Sequence, residues 1–184
     1  MSEPLCDNLE ALLQDTAKLI RSQVEEEDCC ILGYSMGSLL AYVLSSDPAY
    51  GINASHLFLC AFQSPDLLKE KRFLLSDAAS EEAFITKYGN IDERILKDPR
   101  FAEVFTKPLR NDFHCLSNYE TKALAPVSCG ITVIYGNEDY ALADVEGWKR
   151  FTTQKTEIHS VPGTHFFLNE CLDQVCEIMK QNCK

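Results

Sequence analysis

The stretch from Cys29 to Val43, CCILGYSMGSLLAYV, limits what this chain can fold into more than any other part of it. Cys29-Cys30-Ile31-Leu32 is a short apolar run that reads as a buried strand, its two cysteines serving as small apolar side chains. It passes through Gly33-Tyr34-Ser35-Met36-Gly37 into Ser38 to Leu44, which reads as an apolar helix. Strand, G-x-S-x-G and helix in this order make a nucleophile elbow. Such a turn holds its serine in a strained backbone conformation, so the residues two positions away on either side are expected to need minimal bulk. Gly33 and Gly37 meet that need. Ser35 Oγ then projects beyond the strand end, and the Met36 backbone N–H, at the start of the helix, faces the place where an oxyanion would form. Ser35 is the candidate nucleophile and Met36 the candidate oxyanion donor.

The 184 residues are enough for one domain, 1–184, with a core that needs no staples. No apolar run approaches membrane-spanning length, and the opening Ser2-Glu3-Pro4 has no leader character, so no membrane partner is expected. A net charge of −11 argues against nucleic acid, which requires a basic face, but leaves room for a carrier protein docked on a local patch. Nine cysteines without a secretory segment point to a reducing compartment, and cytoplasmic localisation is expected. Their number is odd and no paired C-x-x-C occurs, so no metal site is expected.

Leu5, Leu9, Leu12, Leu13, Ala17, Leu19, Ile20 and Val24 recur at helical spacing and predict an amphipathic helix from about Asn8 to Val24. Asp7 is its expected N-cap, with Glu10 at capping-box spacing. Glu25-Glu26-Glu27-Asp28 reads as a solvated turn before the elbow strand. His56 to Ala61, Ile131 to Tyr135 and Thr156 to Val161 read as three further strands. Trp148 and Phe151 fall on a helix between the last two, and Leu168 to Met179 forms a final helix with Leu172, Val175, Cys176 and Met179 on one face. Alternating apolar strands and helices imply a parallel sheet with crossover helices, an α/β class. Between residues 65 and 125 no strand pattern appears. Short helices punctuated by Gly89-Asn90, Asp98-Pro99 and Lys107-Pro108 are expected there. They read either as a lid over the strand ends or as part of the core, and as a lid they offer Phe73, Phe84, Phe105 and Asp112 as candidate substrate contacts.

A serine nucleophile needs a base, and the base an orienting carboxylate. Among the four histidines, His56 begins a strand, His159 lies within one and His114 falls in the helical insertion. His165 follows the last strand in a loop, as a base for Ser35 should. Asp139 directly follows the Ile131–Tyr135 strand and gives the chain order Ser, Asp, His of the α/β-hydrolases. Asp112 and Asp144 are its rivals, and Glu138 would point away if Asp139 faces the site. The expected catalytic set is Ser35, Asp139 and His165.

The chain resembles the type II thioesterases that accompany nonribosomal peptide and polyketide synthases, and the related medium-chain fatty-acyl thioesterase. The elements that carry the resemblance are Gly33 to Tyr42, Pro108-Leu109-Arg110-Asn111-Asp112, Gly136-Asn137-Glu138-Asp139 with Trp148, and Pro162-Gly163-Thr164-His165-Phe166-Phe167-Leu168. Thr164 stands where that family usually has glycine. The resemblance implies an α/β-hydrolase fold and hydrolysis of acyl groups from the phosphopantetheine thiol of an acyl or peptidyl carrier, with no cofactor of the enzyme's own. It also implies strands before the first helix, and a loop after one of them that supplies a second oxyanion N–H. Met1 falls just before that helix, so the sheet is expected to be reduced on its N-terminal side and the elbow strand to be an edge open to pairing. A fragment of a longer protein, an edge covered by another chain, and a genuinely reduced enzyme all fit. A carboxylesterase on small free esters, or a catalytically weak hydrolase serving as a binding module, are the alternative functions.

Overall fold

A computed structural model describes residues 5–6, 8–24, 29–71, 78–91, 97–119 and 124–183. It divides into two compact units, residues 13–69 with 121–184 and residues 1–12 with 70–120.

Among the described residues the chain forms four parallel strands, β1 (Cys29–Tyr34), β2 (Ala54–Cys60), β3 (Gly130–Gly136) and β4 (Thr156–Val161), in the order β1-β2-β3-β4. β2 and β3 are interior, and Leu57 to Cys60 and Ile131 to Gly136 are buried without alternation, as expected of strands covered on both faces. β1 is an edge, and its burial alternates: Cys30 and Leu32 are exposed. The cysteine pair therefore does not lie in the core: Cys29 is half-buried, and Cys30 falls on the exposed row of the alternation.

Helix α1 (Leu9–Gln23) precedes β1, and α2 (Met36–Ser46) follows the elbow. Leu9, Leu13 and Ala17 are buried, whereas Leu19 is 62% exposed despite its apolar character. The cap of α1 is Asn8, whose Oδ1 accepts the Ala11 N–H at 2.9 Å. Asp7 lies outside the described residues. Helix α3 (Pro65–Lys71) follows β2. Tyr42 of α2 packs edge-on against Trp148 and Phe151, whose ring centroids lie 5.3 and 5.4 Å away. Trp148 and Phe151 sit on a 3-10 helix, Glu146–Phe151, and the Trp148 indole donates to the Phe62 carbonyl at 3.1 Å. A second apolar cluster joins Cys60, Ala61, Ile134, Val161 and Phe167 to Val175 and Ile178 of the last helix, Leu168–Asn182. In that helix Leu172 is 57% exposed, and Ile178 occupies the buried row in its place.

In the helical unit, α4 (Ala78–Tyr88) ends at Gly89 and Asn90, as the punctuation predicts, with Asn90 at a φ of 45°. Helix α5 (Pro99–Asn118) starts with Asp98 capping Arg100 N–H and Pro99 in its first turn. It does not stop at Lys107-Pro108: one twenty-residue helix runs through Pro108. Pro108 removes the bond to the Val104 carbonyl, and Val104 is 66% exposed, so water can satisfy that oxygen and the cost falls. Asn111 Nδ2 donates to the Cys6 carbonyl at 2.9 Å and fastens the segment before α1 to α5. Among the described residues no helix is long and apolar enough to cross a membrane.

The end of the chain is tied to β4 through Glu157. Its carboxylate takes hydrogen bonds from Lys155, His159 and Asn182, Lys155 contributing most, and these hold it down at about 2. A carboxylate depressed on folding stabilises the fold above its unfolded value of 4.5 and loses that contribution as pH falls through about 2. Glu157→Gln is therefore expected to melt below wild type at neutral pH, with the two melting curves converging between pH 4.5 and 2. Thermal melts of both proteins across that range are the measurement, and a gap that widens on acidification contradicts the assignment.

Candidate active site

Ser35 sits between the last residue of β1 and the first of α2, at φ 53° and ψ −128°. That backbone is strained for any residue with a Cβ, at a cost on the order of 1–3 kcal/mol. Three contacts enforce it. A Cβ on Gly33 would stand 2.3 Å from the Gly37 carbonyl oxygen and 2.5 Å from Ser38 Cα, so the strand can meet the helix only through a glycine. Ser35 N–H donates to the Cys60 carbonyl at 2.9 Å, which carries the β1–β2 ladder one residue further. The buried Ser38 hydroxyl lies 2.9 Å from the Gly33 carbonyl and 2.8 Å from that of Cys60, and staples the first turn of α2 to both strands. At Gly37, by contrast, an added Cβ would meet nothing within 4 Å among the described residues, so the packing does not require glycine there. Only one half of the expected glycine pair has a steric role.

Asp139 and His165 arrive from β3 and β4 on two turns laced to each other. Beyond β3, Asp139 N–H and Tyr140 N–H both donate to the Gly136 carbonyl, at 3.0 and 3.3 Å. Beyond β4, Gly163 N–H donates to Asn137 Oδ1 at 3.1 Å, and the Gly163 carbonyl accepts Glu138 N–H at 3.0 Å. A Cβ on Gly136 would come within 2.4 Å of the Gly163 and Thr164 carbonyl oxygens, so glycine is what lets the turns approach. The Tyr34 hydroxyl donates to the His165 carbonyl, and its ring packs on His165 and on Phe167, with centroids 5.9 and 5.5 Å away. Burial pushes the Tyr34 phenol up to about 12, so it remains a donor at any ordinary pH. Tyr34 is the variable position before the elbow serine, and nothing in its spacing marks it as a support for the base.

These turns bring the three expected side chains together. His165 Nε2 lies 3.0 Å from Ser35 Oγ, and His165 Nδ1 lies 2.6 Å from Asp139 Oδ2. The Asp139 side chain is fully buried and that of His165 is 5% exposed. An ionised carboxylate can only accept, so Nδ1 carries the proton and Nε2 is left to accept from the serine hydroxyl. Met36 is the first residue of α2, which puts its N–H at the helix N-terminus beside Ser35.

The rival residues are engaged elsewhere. His56 Nε2 lies 2.8 Å from Thr132 Oγ1, and burial lowers its pKa. His159 pairs with Glu157, and His114 is exposed on α5. Asp144 Oδ2 accepts the Ala141 N–H at 3.0 Å as a local cap, and Glu138 is exposed. Asp112 and Phe105 lie on α5, where burial pushes the Asp112 carboxyl up and Phe105 is 49% exposed. Phe73 and the Phe84 side chain fall outside the described residues.

With this geometry in place, comparison with known proteins is decisive for the family. The family model for a thioesterase domain matches residues 1–183. The chain belongs to the thioesterase domain family. This thioesterase-family chain is 28% identical over 181 residues to the gramicidin S biosynthesis protein GrsT of Aneurinibacillus migulanus, covering 94% of the chain and 69% of GrsT. It is 26% identical over 181 residues to the human medium-chain S-acyl fatty acid synthase thioesterase, covering 91% and 66% respectively. Among solved structures, the RedJ thioesterase from the prodiginine biosynthetic pathway in Streptomyces coelicolor superposes with a TM-score of 0.78 at 26% identity, covering 96% of this chain and 68% of RedJ. The thioesterase-family chain spans about two thirds of the length of the curated relatives it matches. Its fold is that of the α/β-hydrolases.

The elbow makes separable predictions. Gly33→Ala is expected to lower the melting temperature by several degrees or to prevent folding, because its Cβ meets backbone that cannot yield, whereas Gly37→Ala should melt within about 2 °C of wild type. Ser35→Gly should be more stable than Ser35→Ala by about 1 kcal/mol, since only glycine relieves the positive φ. Equal stability of the two Ser35 variants would show the backbone there to be unstrained.

Proposed function

We propose that this chain is a serine hydrolase that cleaves acyl thioesters presented on the phosphopantetheine arm of an acyl or peptidyl carrier. The observation that carries the hydrolase reading is the Ser35–His165–Asp139 relay, with separations of 3.0 and 2.6 Å and almost no exposure at the histidine and aspartate. Membership of the thioesterase domain family supports the thioester as the bond cleaved. Relatives named for gramicidin S and prodiginine biosynthesis support a carrier-bound acyl group as the substrate. The thiol cofactor belongs to that substrate, and the enzyme needs none of its own.

In the proposed reaction His165 Nε2 takes the Ser35 proton as Oγ attacks the thioester carbonyl. The Asp139 carboxylate holds Nδ1–H and stabilises the imidazolium that forms. Negative charge on the carbonyl oxygen develops against the Met36 N–H, at the positive end of α2. Collapse expels the carrier thiol, which takes its proton from Nε2 and leaves an acyl ester on Ser35. A water deprotonated by the same nitrogen then releases the acid and restores the serine. Burial of the relay keeps its electrostatics strong, because little water screens Asp139 from His165.

Ser35→Ala is expected to lose covalent labelling by a fluorophosphonate while melting as a folded protein. Asp139→Asn should cut hydrolysis by about 10³–10⁴-fold, because an amide can no longer fix the tautomer. Asp112→Asn should change it by less than about tenfold, since Asp112 lies on α5 and outside the relay. Rates of release from an acyl-carrier thioester and from a small free ester, measured side by side, test the substrate class. Preference for the free ester overturns the carrier reading but leaves the relay standing, whereas wild type that labels no faster than Ser35→Ala overturns the relay.

A further inference from the structure

We propose that Cys30 and Cys183 form a dithiol modification site that closes to a disulfide by exchange with a small-molecule disulfide of the glutathione class. Cys30 lies near the start of β1, at the end of the strand away from Ser35, and Cys183 is the residue that follows the last helix. Both are exposed, and their sulfur atoms are 3.4 Å apart. A disulfide needs about 2.05 Å, so closure asks for a relative movement of roughly 1.4 Å, within the reach of small side-chain rotations.

Two structural features bring the sulfurs together. The β1–β2 register shifts between Cys29 and Cys30, which pair with Ala54 and His56 and leave Ser55 as the extra residue. A shift of this kind redirects neighbouring side chains, and Cys30 Sγ stands 3.6 Å from Ser55 Oγ. At the other end, Asn182 Nδ2 donates to Glu157 Oε2 at 3.2 Å and to the Ile178 carbonyl at 3.1 Å. Cys183 N–H donates to the Met179 carbonyl at 2.9 Å. The residue carrying the second thiol is thus held at both its own backbone and its predecessor's side chain, while its extended φ of −86° and ψ of 96° leave the helix behind. Ser55 and Asn182, the neighbours of the two sulfurs, also line a cavity of about 350 Å³.

The Cys183 S–H donates to Cys30 Sγ, and partial burial together with that bond pushes the Cys183 thiol up. In the proposed exchange Cys30, the acceptor of that bond, reacts first. The Cys30 thiolate attacks one sulfur of the small disulfide, forms a mixed disulfide and expels one small thiolate. Cys183 then loses its proton and attacks the Cys30 sulfur, which forms the Cys30–Cys183 bond and breaks the mixed disulfide, expelling the second small thiolate. The two expelled thiolates take up the two protons the cysteines released, so two protein thiols are oxidised as one small disulfide is reduced to two thiols. The new bond links positions 153 residues apart, a loop long enough for its closure to restrict the unfolded chain appreciably.

The test is incubation of the whole chain with oxidised glutathione, followed by thiol titration, peptide mapping of the alkylated product and thermal melting. The expected result is loss of two of the nine titratable thiols, a peptide linked through Cys30 and Cys183, and a melting temperature raised by about 5–10 °C and restored by dithiothreitol. Cys183→Ser should carry a glutathione adduct on Cys30, show no rise in melting temperature and keep wild-type phosphonate labelling at Ser35. Separate glutathione adducts on Cys30 and Cys183 in wild type, a link through Cys29 instead, or an unchanged thiol count would each overturn the proposal.

Discussion

The site depends on one close approach, that of the end of β1 to the first turn of α2 at Gly33. With the Gly37 carbonyl oxygen 2.3 Å from where a Cβ would stand, strand and helix are nearly in backbone contact, and the chain between them has no room for a relaxed turn. Ser35 takes the strain at φ 53°, and its neighbours are fastened so that it cannot relax: its own N–H is bonded to Cys60, and Ser38 bonds to both strands. A strained residue persists only when its surroundings outweigh the cost. Here the surroundings are the buried β2 and the apolar face of α2, so core packing and the geometry of Ser35 are the same structural commitment.

His165 and Asp139 are placed by a different logic. Neither His165 nor Asp139 lies on a strand, yet their separation of 2.6 Å leaves little tolerance. Rigidity comes from cross-bonding: Asn137, Glu138 and Gly163 tie one turn to the other, Gly136 lets them touch, and Tyr34 reaches from the nucleophile's strand to the His165 carbonyl. Two irregular segments thereby behave as one body. Tyr34 makes β1 serve the site twice, through the serine at its end and through the support it gives His165.

Much of this was legible in the sequence because the relevant signals are local. The interior strands carry the apolar runs Leu57 to Cys60 and Ile131 to Tyr135, and β4 falls on the expected Thr156–Val161. The elbow, the order Ser, Asp, His and the choice of His165 over His56, His114 and His159 followed from position relative to strand ends. What the sequence hid depends on neighbours distant in the chain. Cys30 falls on an exposed row of β1, a Cβ at Gly37 would meet nothing within 4 Å among the described residues, and Leu19 and Leu172 are apolar residues whose helices bury other rows. Pro108 reads as a stop, but its orphaned carbonyl belongs to an exposed residue, so helix α5 continues through it. The bond from Gly163 to Asn137 crosses 26 residues, and no periodicity announces it.

The strands lie across the sheet in the order in which the chain supplies them, β1 to β4. A ribosome therefore delivers the strand that ends beside Ser35 before the loop that carries His165, 130 residues further on. During that interval the serine hydroxyl has no acceptor for its proton and is an ordinary alcohol. On the proposed mechanism a nascent chain that has folded β1 and β2 alone is for this reason chemically silent toward the acyl groups around it. Reactivity would on that mechanism arrive with β4 and the loop after it, with no separate activating event.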